Sequence, residues 1–189
     1  MLEPLVEIQQ AILLKIARDA IQKAANQQPL PKIDSKSLPS ALVENGASFV
    51  TLTKNGRLRG CIGTLEAYQP LAVDVQEHAV AAALEDPRFP KVQPSELQEI
   101  RIEVSVLTPK VPLSYSSPED LLQKLQPGID GVVIQDGFRR ATFLPQVWDQ
   151  LPDPKQFLSH LCKKMGSPAD LWQQKAINVS IYHVQEFHE

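Results

Sequence analysis

The amino-acid sequence predicts an α+β fold with a mainly antiparallel sheet and flanking helices, built from two hairpin-helix-strand pseudo-repeats. Two pairs of strand-like runs are joined by glycine turns, at Asn55-Gly56 and Asp136-Gly137, and such turns are strong short-range signals for a β-hairpin. Each hairpin is followed by a segment with the apolar spacing of a helix. The run 100–107 alternates apolar and polar residues, which is typical of a half-buried strand.

The composition excludes several classes of protein. A chain of 189 residues can bury a core without disulfides or metal. A net charge of -3 does not indicate binding to nucleic acid or to an anionic membrane, since both attract basic proteins. No apolar run is long enough to span a bilayer, and the N-terminus is amphipathic, unlike a signal peptide. Two cysteines without a C-x-x-C pattern indicate a reducing compartment, so we expect a cytoplasmic protein.

The first half of the chain alternates helical and strand signals. The predicted segments are an N-terminal helix (about 4–26), a Pro/Ser/Lys loop (27–40), a hairpin around Asn55-Gly56, a helix (70–84), a proline-rich break (85–94) and a strand (100–107). Pro70 suits the first turn of its helix. The prolines of the break end that helix, because each disfavours the helical region for the residue before it.

The second half follows a similar order. The predicted segments are a short helix capped by Ser117, a hairpin around Asp136-Gly137, a helix from Asp153-Pro154 to Gly166, a short helix after Ser167-Pro168 and one final strand (177–187). Ser117 can accept a hydrogen bond from the free N–H groups of the first helical turn. Gly166 can adopt the left-handed conformation that ends a helix.

Residues 55–62 align without gaps on residues 136–143. The aligned pairs include Gly56 with Gly137, Arg59 with Arg140, Gly60 with Ala141 and Cys61 with Thr142. The alignment indicates a duplication within a single domain over 1–189, with halves at about 46–108 and 129–187. The alternative stays open, because any two glycine-turn hairpins resemble each other over so short a run.

The first hairpin gives a geometric prediction. A two-residue turn predicts the cross-strand pairs Lys54 with Arg57, Leu52 with Arg59 and Val50 with Cys61. Because side chains alternate faces along a strand, Arg57, Arg59 and Cys61 should share one face. Gly60 and Gly63 weaken a strand, which favours a close approach to its backbone at this point; a β-bulge is the alternative.

Residues 58–63, Leu-Arg-Gly-Cys-Ile-Gly, resemble the signature of the AMMECR domain family, whose bacterial and archaeal members are also named AmmeMemoRadiSam system protein A. Further matching motifs are Asp86 to Pro90, Ile102 to Leu107, Thr142 to Val147 and Phe157 to Trp172. Together they cover nearly the whole chain in order. Small departures lie at Ala141 and at Lys164 to Ser167, and they leave the local packing of the second half in question.

The resemblance implies a compact α+β domain with an unusual sheet architecture, in which the signature borders a cleft. It implies no established reaction. The system name comes from genes found beside or fused to the family: a Memo-like protein, which resembles non-haem iron dioxygenases, and a radical SAM enzyme. These two proteins are the partners that the resemblance implies.

The candidate site centres on the signature. The candidate catalytic residues are Cys61, Arg59 and Glu103, and the candidate binding residues are Leu58, Gly60, Ile62, Gly63, Thr64, Arg88 and Arg140. Cys61 is either a nucleophile activated by nearby cations or a small core residue. Arg59 and Arg140 either clamp a carboxylate or phosphate together or are surface arginines. Glu103 is either a base or a solvated strand residue, and Arg88 lies either in a cleft wall or in a rigid helix terminator.

A metal site is not expected, because the histidines form no ligand pattern. Asp74 and His78 are expected to pair on the surface of a helix. No glycine-rich loop matches a nucleotide-binding fingerprint, so the cofactor stays unknown. Two functions stay open: an enzyme or ligand-binding domain, with backbone N–H groups of residues 60–63 stabilising negative charge, or a non-catalytic accessory domain. The reaction, the substrate and the oligomeric state also stay open.

Overall fold

A computed structural model describes residues 4–189, and the chain divides into two compact units. Unit 1 comprises Met1–Leu107 and Gln185–Glu189, and unit 2 comprises Thr108–Val184. Each unit contains an antiparallel sheet and helices, so the predicted α+β class is confirmed. Among the described residues, no helix is both long and apolar enough to cross a membrane.

The secondary structure follows one order along the chain. Its elements are α1 (Glu7–Ala25), α2 (Ser40–Val43), β1 (Asn45–Lys54), β2 (Arg57–Gly63), β3 (Gln69–Pro70), α3 (Leu71–Leu84), a 3-10 turn (Pro94–Glu96), β4 (Ile100–Leu107), β5 (Val111–Pro112), α4 (Pro118–Lys124), β6 (Gly131–Asp136), β7 (Arg139–Phe143), a second 3-10 turn (Pro145–Asp149), α5 (Pro154–Lys164), α6 (Leu171–Gln174), β8 (Asn178–Tyr182) and β9 (Val184–His188).

Unit 1 is built on a sheet of order β2-β1-β4-β9, with the short β3 paired to the start of β1. The even-numbered residues of β1 face the helices: Val50 and Leu52 are fully buried in one core with Leu13 of α1 and Val75 of α3. The odd-numbered residues, such as Thr51, therefore point to the opposite side of the sheet, which we call the outer face.

Unit 2 is built on a sheet of order β5-β8-β6-β7. Its core includes Trp148, whose ring stacks on Phe157 with centroids 3.6 Å apart and planes 7° apart. The predicted helix ends are confirmed: the Ser117 side chain accepts a hydrogen bond from the Asp120 N–H, and Gly166 has a φ of 74°. These local signals depend on few neighbours, which is why the sequence alone shows them.

The predicted final strand is wrong in one respect. The segment 177–187 forms two strands, β8 and β9, which break at His183 and enter different sheets. The Thr108 hydroxyl accepts a hydrogen bond from the His183 N–H, and the His183 carbonyl accepts one from the Thr108 N–H. The run 177–187 therefore contributes β8 to the sheet of unit 2 and β9 to the sheet of unit 1.

The two hairpin turns differ in type. Asn55 and Gly56 have φ values of 52° and 72°, the positive pair that a type I′ turn requires, so this turn is confirmed. In the second hairpin Asp136 is paired with Arg139, which makes Gly137 and Phe138 the turn residues. Only Gly137 has a positive φ, at 60°, as in a type II′ turn. The predicted Asp136-Gly137 turn is therefore displaced by one residue.

A β-bulge at Arg59 changes the register of the first hairpin. Lys54 pairs with Arg57 as predicted, but the register then shifts, and the following pairs are Thr53 with Leu58, Leu52 with Gly60, Thr51 with Cys61 and Val50 with Ile62. The predicted pairs Leu52 with Arg59 and Val50 with Cys61 are therefore wrong, because Arg59 is an extra residue without a partner in the ladder. Arg57 pairs with Lys54, an even-numbered residue of β1, and Cys61 pairs with Thr51, an odd-numbered one. Even- and odd-numbered residues of β1 lie on opposite faces of the sheet, so the prediction that Arg57 and Cys61 share a face is also wrong.

The bulge adds one residue to β2, and the turn of the second hairpin is displaced by one residue. These two shifts cancel when the pairing registers of the two hairpins are compared. As a result Cys61 pairs with Thr51 at the ladder position where Thr142 pairs with Val133. The strand orders β2-β1-β4 and β7-β6-β8 also match, and all these neighbours are antiparallel. A duplication requires this agreement, and the duplication itself stays a prediction.

Candidate functional site

Cys61, Thr51 and Glu103 form a row across three strands of unit 1. Thr51 of β1 is paired with Cys61 of β2 on one side and with Glu103 of β4 on the other. All three residues are half-buried and lie on the outer face. The row, which we call the cysteine row, joins two of the three candidate catalytic residues and adds Thr51, which sequence reasoning missed because the bulge determines the pairing.

The Cys61 thiol has a polar partner. The Thr51 hydroxyl donates a hydrogen bond to Sγ over 3.3 Å. Cys162, in contrast, is fully buried in the core of unit 2, and burial raises the pKa of its thiol. Cys61 is thus the more accessible of the two cysteines, and it is neither a core residue nor a freely exposed one.

The backbone of Cys61 is held by the loop after α3. Its N–H donates to Asp86 Oδ2 over 2.9 Å, and its carbonyl accepts from Arg88 Nη2 over 3.2 Å. Arg88 Nε and Nη2 also bind the Asp86 carboxylate, at 2.9 and 2.7 Å. This guanidinium holds the pKa of Asp86 well below its usual range. The loop therefore binds the outer edge of β2, which is the first strand in the sheet order, and the Arg88 side chain forms part of this contact.

The predicted anion hole at residues 60–63 is incomplete. The Cys61 N–H already donates to Asp86, and the neighbouring Thr64 N–H donates to the Ser48 carbonyl over 3.0 Å. A backbone N–H with a protein acceptor is not free to stabilise charge on a substrate. The expectation is therefore wrong for the N–H of Cys61 itself, which the sequence could not reveal because Asp86 approaches from a distant loop.

Gly60 and Gly63 are required by packing within unit 1. A Cβ on Gly60 would overlap with the carbonyl oxygen of Ala82 in α3, and a Cβ on Gly63 would overlap with Phe49 and the Ser48 carbonyl. The predicted close approach is thus made by the protein's own backbone and by an aromatic ring. Ile62, between them, packs against the core of unit 1.

Arg59 is buried and engaged in an ion pair. Its Nε and Nη2 donate to the two carboxylate oxygens of Glu96 over 3.2 and 3.0 Å. Arg59, together with backbone and lysine donors, lowers the pKa of Glu96 to about 2. Lys54 also binds Glu96, at 3.3 Å. The bulge is therefore anchored to the 3-10 turn before β4. Arg140 lies in unit 2, and its predicted clamp with Arg59 stays a prediction.

Glu103 supplies the carboxyl group of the cysteine row. Burial raises its pKa, and the nearby Glu186 carboxylate raises it further. A carboxyl group with a raised pKa can hold or release a proton closer to neutral pH than an ordinary glutamate. Ser105, two residues further along β4, is buried.

A surface cavity of about 490 Å³ lies beside the first hairpin turn. It is lined by Lys54, Asn55, Arg57, Leu58 and Arg59. The signature therefore borders a cavity through Leu58 and Arg59, while Cys61 is not among its lining residues. The lining combines three cationic side chains with Leu58, which is 45 % exposed.

A buried polar cluster in unit 1 corrects a further expectation. Asp74 is fully buried and accepts a hydrogen bond from the Ser48 hydroxyl over 2.6 Å, and His78 Nδ1 lies 3.1 Å from the same carboxylate oxygen. The predicted surface pair of Asp74 and His78 is therefore wrong, because α3 is covered on this side. Across residues 4–189, no three or more His, Cys, Asp or Glu side chains are grouped to hold a metal ion.

Unit 2 has a counterpart without a thiol. The Thr142 hydroxyl donates to the Val132 carbonyl over 2.9 Å and lies 3.1 Å from the Tyr182 hydroxyl. The Thr142 carbonyl accepts from Lys164 Nζ over 3.0 Å, as the Cys61 carbonyl accepts from Arg88. Both hairpins thus anchor the same carbonyl with a cation, but unit 2 has a hydroxyl in place of the sulfur.

Comparison with known proteins identifies the family. A family model described as AMMECR1 matches residues 14–187. A protein of Methanothermobacter thermautotrophicus is 40 % identical over 187 residues, covering 98 % of this chain and 97 % of the relative. A protein of Methanopyrus kandleri is 39 % identical over 185 residues, covering 94 % and 86 %. The crystal structure of an uncharacterized protein from Pyrococcus horikoshii has a TM-score of 0.88 and 31 % identity, covering 98 % of this chain and 93 % of that chain. Because the family model spans most of the chain and the relatives agree over nearly its full length, the chain belongs to the AMMECR1 family.

Proposed function

We propose that the protein is a thiol-dependent enzyme or ligand-binding domain whose site is the cysteine row. The observation that supports this most directly is the hydrogen bond from the Thr51 hydroxyl to Cys61 Sγ, at 3.3 Å, on a half-buried surface. A structural cysteine needs neither a polar partner nor partial exposure. A reactive cysteine needs access and a partner for its charged form.

The row supplies the parts of a nucleophilic reaction. Cys61 attacks an electrophilic carbon: the S–H bond breaks, a C–S bond forms, and the bond to the leaving group breaks. The thiol proton passes to solvent water, and Glu103, which lies across Thr51 from Cys61 and whose pKa is raised, donates a proton to the leaving group of a substrate that lies along the row. Arg57, an exposed cation of the adjacent cavity, suits a substrate with an anionic group, whereas Arg59 and Lys54 there are already paired with Glu96.

Thiol labelling tests the role of Thr51. We expect iodoacetamide to modify Cys61 in the folded protein much faster than the buried Cys162. Replacing Thr51 with valine should slow Cys61 labelling by about 2- to 10-fold, because one hydrogen bond is worth roughly 0.5–1.5 kcal/mol. The labelled peptides are quantified by mass spectrometry over time at a fixed pH.

The matched control is Thr53→Val, on the same face of β1 but paired with Leu58 instead of Cys61. Thr53→Val should leave the labelling rate of Cys61 unchanged. If Cys61 is not labelled in the folded protein, or if both threonine variants change its rate equally, the proposal is wrong.

A second function is favoured by the cavity at the hairpin turn. Leu58 is an apolar side chain exposed among Lys54, Arg57 and Arg59, and exposed apolar groups with a charged surround are typical of protein contacts. In this alternative the protein is a non-catalytic accessory domain that presents the cavity to a Memo-like protein or a radical SAM enzyme.

Calorimetry with the two purified candidate partners separates the functions. If the accessory function holds, Leu58→Ser should weaken binding by about 10-fold or more, as for a central contact residue. Cys61→Ala should bind as well as the unmodified protein. The accessory function is contradicted if neither partner binds, or if only Cys61→Ala loses binding.

A further inference from the structure

The register between β4 and β9 follows from two backbone hydrogen bonds. At one end, the Ile102 carbonyl accepts a hydrogen bond from the Glu189 N–H over 3.1 Å. At the other end, the His183 carbonyl accepts one from the Thr108 N–H over 2.9 Å. The two strands are neighbours in the sheet, and these bonds make them antiparallel. The bonds are six positions apart on both strands, so the register between them is unshifted.

This register places His188 directly opposite Glu103 on the outer face. Phe187, the residue before it, is buried in the core of unit 1. Because side chains alternate along a strand, Glu186 and His188 point to the outer face, and both are exposed. Directly opposed residues of an antiparallel pair have Cβ atoms about 4.5–5.5 Å apart. The cysteine row therefore continues onto a fourth strand and ends in an imidazole that is open to water.

The charges that act on Glu103 agree with this placement. Burial raises the pKa of Glu103, the Glu186 carboxylate raises it further, and the positive charge of His188 lowers it. The Glu186 side chain also forms a hydrogen bond with Glu103. Along β4 the charged neighbour on the same face is Arg101, which is exposed, and the facing residue of β1 is the uncharged Thr51. Glu103 thus has a carboxyl group and an imidazole of β9 as its partners for proton exchange.

We propose that His188 is the fourth residue of the cysteine row and returns a proton to Glu103, a role that rests on the proposed function of Glu103 as proton donor to a leaving group. Once Glu103 has given up its proton, its carboxylate faces the imidazolium of His188. An N–H bond of His188 breaks, an O–H bond of Glu103 forms, and the neutral imidazole regains a proton from water. Glu103 is half-buried and His188 is exposed, so the histidine connects the row with solvent. Because it acts through Glu103, His188 is a positioning residue.

Carbon-13 NMR titration of the glutamate carboxyl groups tests the proposal. The signal of Glu103 is assigned by its loss in Glu103→Gln. His188→Gln should raise the pKa of Glu103 by about 0.5 or more, because it removes a positive charge at short range. Glu186→Gln should lower the same pKa, because it removes a negative charge. His188→Lys keeps a positive charge, so it should leave the pKa of Glu103 at or below its value in the unmodified protein.

The matched control is Glu77→Gln, which removes an exposed carboxylate from α3 on the other side of the sheet and should leave the titration of Glu103 unchanged. Circular dichroism verifies that each variant is folded. The proposal is overturned if His188→Gln does not raise the pKa of Glu103, if His188→Lys raises it equally, or if Glu186→Gln shifts it in the same direction as His188→Gln. The proposed function fails on a different result, the absence of Cys61 labelling, so the two failures are distinguishable.

Discussion

Replacing Gly60 with alanine should lower the free energy of unfolding by about 3 kcal/mol or more, the upper range for overpacking a core. The added Cβ would overlap with the Ala82 carbonyl oxygen and lie 3.0 Å from its carbonyl carbon. Both atoms belong to the backbone of α3, which cannot move aside as a flexible side chain does. Urea unfolding followed by circular dichroism measures the loss.

Gly56→Ala is the control in the same hairpin. Gly56 has a φ of 72°, and no atom lies within 4 Å of the point where a Cβ would be added, so only the backbone conformation resists the change. That resistance costs about 1–2 kcal/mol. If Gly60→Ala is no more destabilising than Gly56→Ala, the contact between β2 and α3 is not what requires the glycine.

Replacing Asp86 with alanine should lower the free energy of unfolding at pH 7 by about 2–4 kcal/mol. The carboxylate accepts hydrogen bonds from the partly buried backbone N–H groups of Cys61 and Arg88, and a donor that loses its acceptor away from water costs about 1–3 kcal/mol. The Arg88 guanidinium can return to water and adds less. Asp19→Ala, which removes only an exposed ion pair with Lys15, should cost less than about 1 kcal/mol.

The effect of Asp86→Ala should depend on pH. The pKa of Asp86 is lower in the folded protein than in the unfolded chain, so the ionised carboxylate stabilises the fold. That contribution is fully present well above the unfolded pKa of roughly 3.9, and it is lost as the pH falls through the folded pKa. The difference in stability between the two proteins should therefore shrink below about pH 4. A difference that stays constant down to pH 2 would contradict an ionic role for Asp86.

Local signals explain what the sequence predicted correctly. The Asn55-Gly56 turn, the Ser117 cap and the alternation of β4 from Ile100 to Val104 each depend on residues within a few positions of one another. The bulge at Arg59 does not, because it is held by Glu96 and by the contact between Gly60 and Ala82, all far along the chain. One extra residue then moves every later side chain of β2 to the other face.

The same reason limits what the sequence shows of the site. It indicated Cys61 and Glu103 as candidates, but their common row passes through Thr51, which carries no signal of its own. It assigned Arg59 to a ligand, whereas the nearest carboxylate belongs to Glu96 of the same unit. Pairing between distant segments thus decides which polar groups remain available to bind a ligand. The spacing of apolar residues along the sequence does not show this pairing.

The stacking of Trp148 on Phe157 has a spectroscopic consequence. Both tryptophans of the chain, Trp148 and Trp172, lie in unit 2 and are buried there. Intrinsic tryptophan fluorescence therefore reports the packing of unit 2 and is silent about unit 1, whereas backbone ellipticity reports both. Recording the two signals in a single denaturant titration separates one cooperative transition from two successive ones, without any added label.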